Sequence, residues 1–524
     1  MPTYLSPGVY VEEAQSGSRP IEGVGTSVAA FVGFAGKGPF HEPTLVTNWS
    51  QYTAAFGDFA PGCYLGHAVY GYFANGGGIA YVVRIGGPAG SGGAGSANGD
   101  VVTPQLPAGA PIPLGSFTVA ALPGVDAART TVEVVYPEGE NVAEDRFKLV
   151  VSQDGKAVEN YDVSSRRNAK NYVVTQVRER SKLISVEDAA QSEPSSRPQV
   201  QSFTLLPGTT PAPTPAEVLP ATVSPQEYIG DAEARTGFAG LEAVDEVTMV
   251  AVPDLMAAYQ NGTVDAEGVK AVQLAMITHC ELMGDRLAVL DPLPDMTPRQ
   301  VSVWRTREAG YDSKYAALYY PWIKAFDPAS GSNRMMPPSG HVMGVWSRND
   351  TERGVHKAPA NEVVRGALDL ATNVSKGEQD ILNPIGVNCI RAFPGRGVRI
   401  WGARTLSSDS AWRYISVRRL FNYLEESILL GTQWVVFEPN DMRLWGTIRR
   451  DISAFLREEW RRGALFGASA AEAFYVKCDS ETNPSAAIDA GQVVCEIGIC
   501  PVKPAEFVIF RLSQYSDSTS LVAE

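Results

Sequence analysis

VTMVAVPD (247–254), RLAVLDP (286–292) and YAALYYPW (315–322) are three short apolar runs, and their spacing decides the fold. Each is the length of a strand, rich in Val, Leu, Ala or Tyr, and the first two end at Asp-Pro or Pro-Asp. Between the first two lies 264–284, with Val269, Val272, Leu274 and Met276 on its apolar side and Gly284 after it, which reads as a helix. Residues 297–309 read as a second helix. Strand, helix, strand, helix, strand implies βαβ units and a mostly parallel sheet.

Working outward, TSVAAFVGF (26–34) and IAYVVRI (79–85) read as further strands, with helices at 49–56 and 65–75 between them. Composition changes at Gly86. GGPAGSGGAGSANGD has linker composition, and 190–225 is again rich in Pro, Ser and Thr. Between them the text is strand-rich: FTVAAL, TTVEVVY, DRFKLVVSQDGKAVENYDV, NYVVTQV and SKLISV, with Asp154-Gly155 as a hairpin signal. A β-rich module bracketed by linkers reads as an insertion. From 355 a C-terminal block carries a helix starting near Ser408-Asp409 and stopping at Gly431. A strand, QWVVFEP (433–439), and a helix at 441–462 follow it. Strands at 473–479, 493–500 and 506–512 close the block.

The chain of 524 residues is long enough for three or four domains. It is 44% hydrophobic and 19% charged, with 50 Gly and 36 Pro, which fits a folded protein rich in turns. A net charge of −14 argues against a general nucleic-acid binder. The six cysteines are scattered without a CxxC, which points to free thiols in a reducing compartment rather than a disulfide framework or a zinc site. No stretch reads as a secretory signal or a membrane span, so assembly in the cytoplasm of the producing cell is expected.

Signals of catalysis are weak. GFAGKGP (33–39) lacks the spacing and the hydroxyl residue of a phosphate-binding loop. The five histidines are far apart, and neither HExxH nor GxSxG occurs. Asp254 and Asp291 stand at the C-terminal ends of two expected parallel strands, where α/β enzymes place their sites. Both abut Pro, so turn formation is the competing role. No catalytic, cofactor or metal site is assigned; an α/β enzyme using Asp254 and Asp291 is the minor alternative.

The helix at 441–462 is more informative. Plotted at ~100° per residue, Leu444, Ile448, Ile452 and Phe455 share one sector, the core face. Arg443, Arg450, Arg457 and Arg461 line the other side, with Arg449 and Arg462 at its margins. Asp451, Glu458 and Glu459 fall elsewhere. The segment 391–462 holds thirteen arginines, no lysine and eight acids. A solvated face usually mixes Lys with Glu; arginine alone suits a fixed acidic surface, which its planar fork pairs bidentately.

Six stretches together resemble the contractile tail sheath proteins of phages and extracellular injection systems. They are SPGVYVEE (6–13), FVGFAGKGP (31–39) through GGGIAYVVRI (76–85), GVHKAPAN (354–361), NPIGVNCIRAFPGRGVRIWGARTL (383–406), WVVFEPND (434–441), and EAFYVKCD to EFVIF (472–510). The resemblance implies an α/β (α+β) multidomain protein, a sheath core of mixed sheets flanked by helices, with an inserted β-rich outer domain and extended N- and C-terminal strand arms. The expected division is a linking arm at 1–20, a middle domain of 20–86 and 231–354, the insertion at 87–230, and a tube-facing domain at 355–524. It also implies a structural, non-catalytic subunit that polymerises with itself as stacked hexameric rings around an inner tube protein, between a baseplate and a tail terminator or cap, and contracts. No nucleic acid and no direct membrane insertion are implied. Val9, Tyr10 and Val11, with Phe507, Val508, Ile509 and Phe510, become the intersubunit strand arms. Arg443, Arg449, Arg450, Arg457, Arg461 and Arg462 become the inner-tube contact.

Overall fold

A computed structural model describes residues 20–86, 112–114, 116–122, 125, 129–137, 145–153, 156–167, 169–188, 198–205 and 223–511. The expected N-terminal arm, Val9, Tyr10 and Val11 included, lies outside them. The described residues fall into two compact units, one formed within 112–205 and the other by 20–86 together with 223–511.

The larger unit opens with β1 (Val28–Gly33), β2 (Thr44–Val46), α1 (Trp49–Phe56), α2 (Leu65–Ala74) and β3 (Ile79–Arg84). β1 is apolar throughout and every residue of it is buried, as a central parallel strand requires. Asn48 caps α1 by accepting from the Gln51 N–H at 2.9 Å.

The smaller unit is built from β4 (Ile112–Leu114), β5 (Phe117–Ala121), β6 (Thr130–Val135), β7 (Arg146–Gln153), β8 (Lys156–Ser164), α3 (Val173–Arg180), β9 (Ile184–Asp188) and β10 (Gln201–Thr204). Its two antiparallel sheets, ordered β10-β6-β7-β8 and β4-β5-β9, share one core with α3. The β-branched composition of NYVVTQV predicts a strand. It is α3, because Val173 and Val177, one turn apart, both bury completely; tertiary burial overrides the β-branched composition. β10, inside a stretch read as linker, pairs with the edge of β6.

The chain then continues through α4 (Pro225–Ile229), β11 (Met249–Ala251), α5 (Asp254–Gln260), α6 (Ala266–Met283), β12 (Leu287–Leu290), α7 (Pro298–Val303), β13 (Ala316–Tyr320), β14 (Ile323–Asp327), β15 (Ser332–Met336), α8 (Ser339–Arg353), β16 (Glu362–Val363), β17 (Ala367–Leu370), α9 (Lys376–Leu382), β18 (Val387–Phe393) and β19 (Gly397–Ile400). It ends with α10 (Ile415–Thr432), α11 (Met442–Arg461), α12 (Ala470–Ala473), β20 (Phe474–Lys477), α13 (Ser485–Asp489) and β21 (Glu496–Ile499). A nine-stranded sheet runs β16-β19-β18-β13-β12-β11-β1-β3-β2. From β18 to β3 all neighbours are parallel. The alternation at 247–322 therefore forms the centre of this sheet, as its spacing predicts.

Two expected boundaries move. Residues 223–230 pack into the larger unit and not the insertion: Tyr228 is fully buried, edge-on to Phe34, with its hydroxyl on the Asp254 carbonyl. The block from 355 is not separate either, since β16, β18 and β19 extend the large sheet and Leu382, Val387 and Ile390 join its core. A distinct core begins only with α10 and gathers Leu420, Leu424, Leu444, Ile448, Ile452 and Leu456 with Ile21.

Three late elements also differ. Ser408 is held by Asp312 through its N–H (2.8 Å) and hydroxyl (2.6 Å). Asp409 caps only a short 3-10 turn at Ser410–Trp412, and the helix starts at Ile415. QWVVFEP is a 3-10 turn over Gln433–Val435 followed by a bend with Phe437 at φ 68°. Among the described residues no strand lies beside it to complete a ladder. Residues 506–511 form no strand with any of the described residues.

Candidate functional site: the arginine helix and the arm roots

α11 is the most strongly amphipathic helix. Asp441 caps it, accepting from the Leu444 N–H at 2.8 Å. Leu444, Trp445, Ile448, Ile452, Phe455 and Leu456 are buried, the face the periodicity predicts. Arg443, Arg449, Arg450, Arg457, Arg461 and Arg462 are all exposed. The stripe is less free of acids than the helical wheel implies, because arginine side chains reach around the helix. Arg450 meets Asp451 at 3.2 Å, Arg462 meets Glu459 at 2.9 Å, and Arg461 lies 4.0 Å from Glu458. Arg449 donates to the Cys478 carbonyl. Arg443 and Arg457 have no ion pair among the described residues, and they stand four turns apart on the same side.

Beside α11, β20 and β21 form a two-stranded antiparallel ribbon, from Phe474 opposite Ile499 to Lys477 opposite Glu496. Neither outer edge has a strand partner among the described residues. Such a ribbon is marginal alone, and its open edges are templates for another strand. The chain leaves β21 along a cleft of about 1100 Å³ and is fastened there by Glu506. The Glu506 carboxylate accepts from Arg404 Nε and Nη2 at 2.9 and 2.7 Å, from Asn383 at 2.7 Å and from the Tyr414 hydroxyl at 3.1 Å. Burial pushes this carboxyl upward, but Arg404, Asn383 and Tyr414 together hold it below its usual range. Beyond this clasp Phe507, Val508, Ile509 and Phe510 are 68–83% exposed.

The other end enters through a matching clasp. Arg419 of α10 donates to both oxygens of Asp350 at 2.9 and 2.6 Å, and to the Thr26 carbonyl at 2.8 Å. Thr26 in turn donates its hydroxyl to Asp350 at 2.7 Å. Ile21 packs on Gly431, where a Cβ would come within 2.7 Å of it. Neither clasp has a local sequence signal: the partners are 102 residues apart at one end and 69 at the other.

The carboxylates weighed as catalytic are tied into the fold. Asp254 is fully buried and accepts backbone N–H groups from Phe34 (2.6 Å), Leu65 (3.0 Å) and Tyr64. Burial raises it to about 6 against those three bonds. Gly33 is small for this reason, since a Cβ there would lie 2.5 Å from Asp254. Asp291, raised by burial to about 7, accepts from the Ser339 N–H at the start of α8. The two carboxylates therefore serve different turns, and neither lines the cleft at the C-terminal clasp. Among the described residues no cluster of three metal-ligating side chains occurs, and no helix is long and apolar enough to cross a membrane.

Against this geometry, two family models match: the phage tail sheath protein central domain over 224–406 and the phage tail sheath C-terminal domain over 407–514, together more than half of the chain. Their junction, at 406/407, falls shortly before α10 and its core. The tail sheath protein of Vibrio phage KVP40 is 28% identical over 198 residues, 37% of this chain but only 29% of that relative's length. The tail sheath protein of Burkholderia phage BcepMu is 23% identical over 98% of this chain and 96% of its own. Among solved structures, the anti-feeding prophage helical sheath in its contracted state covers 98% of this chain and 100% of its own, with TM-score 0.58 and 24% identity, a likeness of fold. The matched models span the late sheet strands, both clasps' arginines and the arginine helix, and the chain belongs to the phage tail sheath protein family.

Proposed function

We propose that this chain is the structural subunit of a contractile sheath, polymerising as stacked hexameric rings around an inner tube and shortening to drive that tube through a target envelope. The observation that carries the reading is the unfinished ribbon β20–β21 beside a clasped, apolar, strand-ready segment, Phe507–Phe510. An edge without a partner in one chain becomes a specific link when a neighbour supplies the strand. Val9–Val11 and Phe507–Phe510 are the strands we assign to that exchange. Main-chain hydrogen bonds at the ribbon tolerate changes of angle between rigid bodies, and the clasps at Arg404–Glu506 and Arg419–Asp350 transmit tension to the core. The exposed arginines of α11 face the tube, with Arg443 and Arg457 the strongest candidates because no acid among the described residues pairs with them. Exposed pairs contribute only ~0–1 kcal/mol each, so many weak contacts align the tube yet release it on firing.

A baseplate and a terminator or cap bound the assembly, which forms in the cytoplasm of the producing bacterium without nucleic acid. A phage-tail-like injection particle is the favoured system, since the neighbours that cover nearly the whole chain include such sheaths; a true phage tail is the alternative, supported by the phage relatives. The test is negative-stain electron microscopy of the overexpressed full chain. Long hollow cogwheel tubes are expected. A protein that stays monomeric at high concentration overturns the reading.

A further inference from the structure

The N-terminal ends of the parallel strands carry acids. Asp245 and Glu246 precede β11, and Asp285 precedes β12. Together with Glu426 of α10 they line a cleft of about 530 Å³ at the foot of the sheet, walled by Val24, Ile79, Val355 and Leu430. That size is typical of a binding cleft, ~300–1,000 Å³. Asp285 is engaged by Arg286 at 2.7 Å, whereas Asp245, Glu246 and Glu426 have no ion pair among the described residues. Burial, then Asp285 and Asp245, push the Glu426 carboxyl up, and Arg286 offsets this only in part. The site therefore carries negative charge beside apolar walls, which suits a cationic peptide segment.

At the opposite end of the same strands, β18 and β19 form a hairpin that extends past the C-terminal end of β13. It carries Arg391, Arg396 and Arg399, and there is no acid from 383 to 406. Arg391 and Arg399 are direct cross-strand partners, an arrangement that is destabilising for like charges. None of the three has a carboxylate partner among the described residues; they bond Gln379, Asn361 and backbone. The closest acid in this sheet, Glu362, is taken by Lys357 at 2.6 Å.

We propose that the Arg391–Arg399 hairpin of one copy docks into the acidic cleft at the foot of the sheet of a second copy. The two surfaces are different, complementary and at opposite ends of one sheet. Joining them is a heterologous, head-to-tail contact, which propagates along a ring or helix rather than closing a dimer. Arginine forks pair the cleft carboxylates. The inference rests on self-association but needs neither contraction nor strand exchange, so it is a second linkage independent of the arms.

The experiment uses full-length chains and follows assembly by sedimentation velocity and electron microscopy, with circular dichroism to check the fold. D245K/E246K reverses the cleft rim and R396E/R399E reverses the hairpin. Each alone is expected to need at least about tenfold more protein to assemble, a change equivalent to ~1.4 kcal/mol. An equimolar mixture is expected to restore assembly, because each variant's hairpin then matches the other's cleft. Wild-type behaviour of either variant overturns the proposal, and so does a mixture of folded variants that fails to recover. Should a reversal lose its native circular dichroism, E426Q and R396Q replace it; an unchanged assembly concentration in both then overturns the contact. A wild-type chain that never associates overturns this contact and the sheath reading together, whereas tubes indifferent to these charges overturn this contact alone.

Discussion

Asp291 shows how a single buried carboxylate sets a pH dependence. Its folded-state value, near 7, lies above the unfolded value of 3.8 because burial disfavours the charge more than the hydroxyl and N–H of Ser339 favour it. The folded chain thus holds a proton that the unfolded chain releases. Stability from this group is full at acid pH and declines as pH rises from about 4 through the folded value. D291N keeps an acceptor for Ser339 and removes the charge. It is expected to raise Tm at pH 8 by on the order of a few degrees and to leave Tm nearly unchanged at pH 4. Differential scanning calorimetry across that range checks it. Arg419 is the opposite case, a buried charge that is well paired. R419M leaves Asp350, 3% exposed, without its cation, and is expected to destabilise by ~3–5 kcal/mol in urea unfolding. R419M/D350L should recover most of that loss, because removing both charges leaves none unpaired.

Among the elements, α11 separates folding from assembly most cleanly. Its apolar face holds the α10–α11 core and its arginines project outward. R443E/R457E is expected to change stability by less than ~0.5 kcal/mol, as exposed substitutions do, while abolishing extended sheath–tube particles and leaving empty contracted sheath. Co-expression with the tube protein and electron microscopy reads this out. By contrast D441A removes the helix cap and is expected to cost about 1 kcal/mol with the tube contact intact. Normal extended particles from R443E/R457E would remove α11 from the tube interface.

For the whole molecule, the decisive feature is that both ends of the described chain are fastened to the core by charge clusters, Arg419–Asp350 buried and Arg404–Glu506 partly so, beyond which Phe507–Phe510 stand exposed. Truncation after Pro504 removes the Glu506 clasp and Phe507–Phe510 together. The core clusters do not include those residues, but the largely buried Arg404 loses its carboxylate, so Tm is expected to fall by on the order of a few degrees while polymerisation is lost. E506Q weakens only the clasp, and proteolysis at Arg511 is expected to accelerate. The folded-state pKa of Glu506 is depressed, so the clasp's contribution is present above the ordinary carboxylate range and fades as pH falls through that lowered value. Release of the segment in acid follows, and hydrogen exchange at 505–511 would detect it.

What the sequence determined by itself was whatever local periodicity encodes. The apolar runs at 247–322 specify the centre of a parallel sheet, and the Leu444, Ile448, Ile452 spacing specifies the buried face of α11. The motif combination carried the family. Tertiary structure alone decided the rest, because each remaining feature joins residues far apart in the chain. NYVVTQV became a helix since two valines a turn apart found a core. The segment from 362 to 400 joined the large sheet through pairing with β13 and with itself. Arg404 found Glu506 102 residues away, Gly33 made room for Asp254, and Asp245, Asp285 and Glu426 met at one cleft. Periodicity reports which face of an element is apolar; it carries no information on which distant element will cover that face, or on which charges the fold then leaves without a partner.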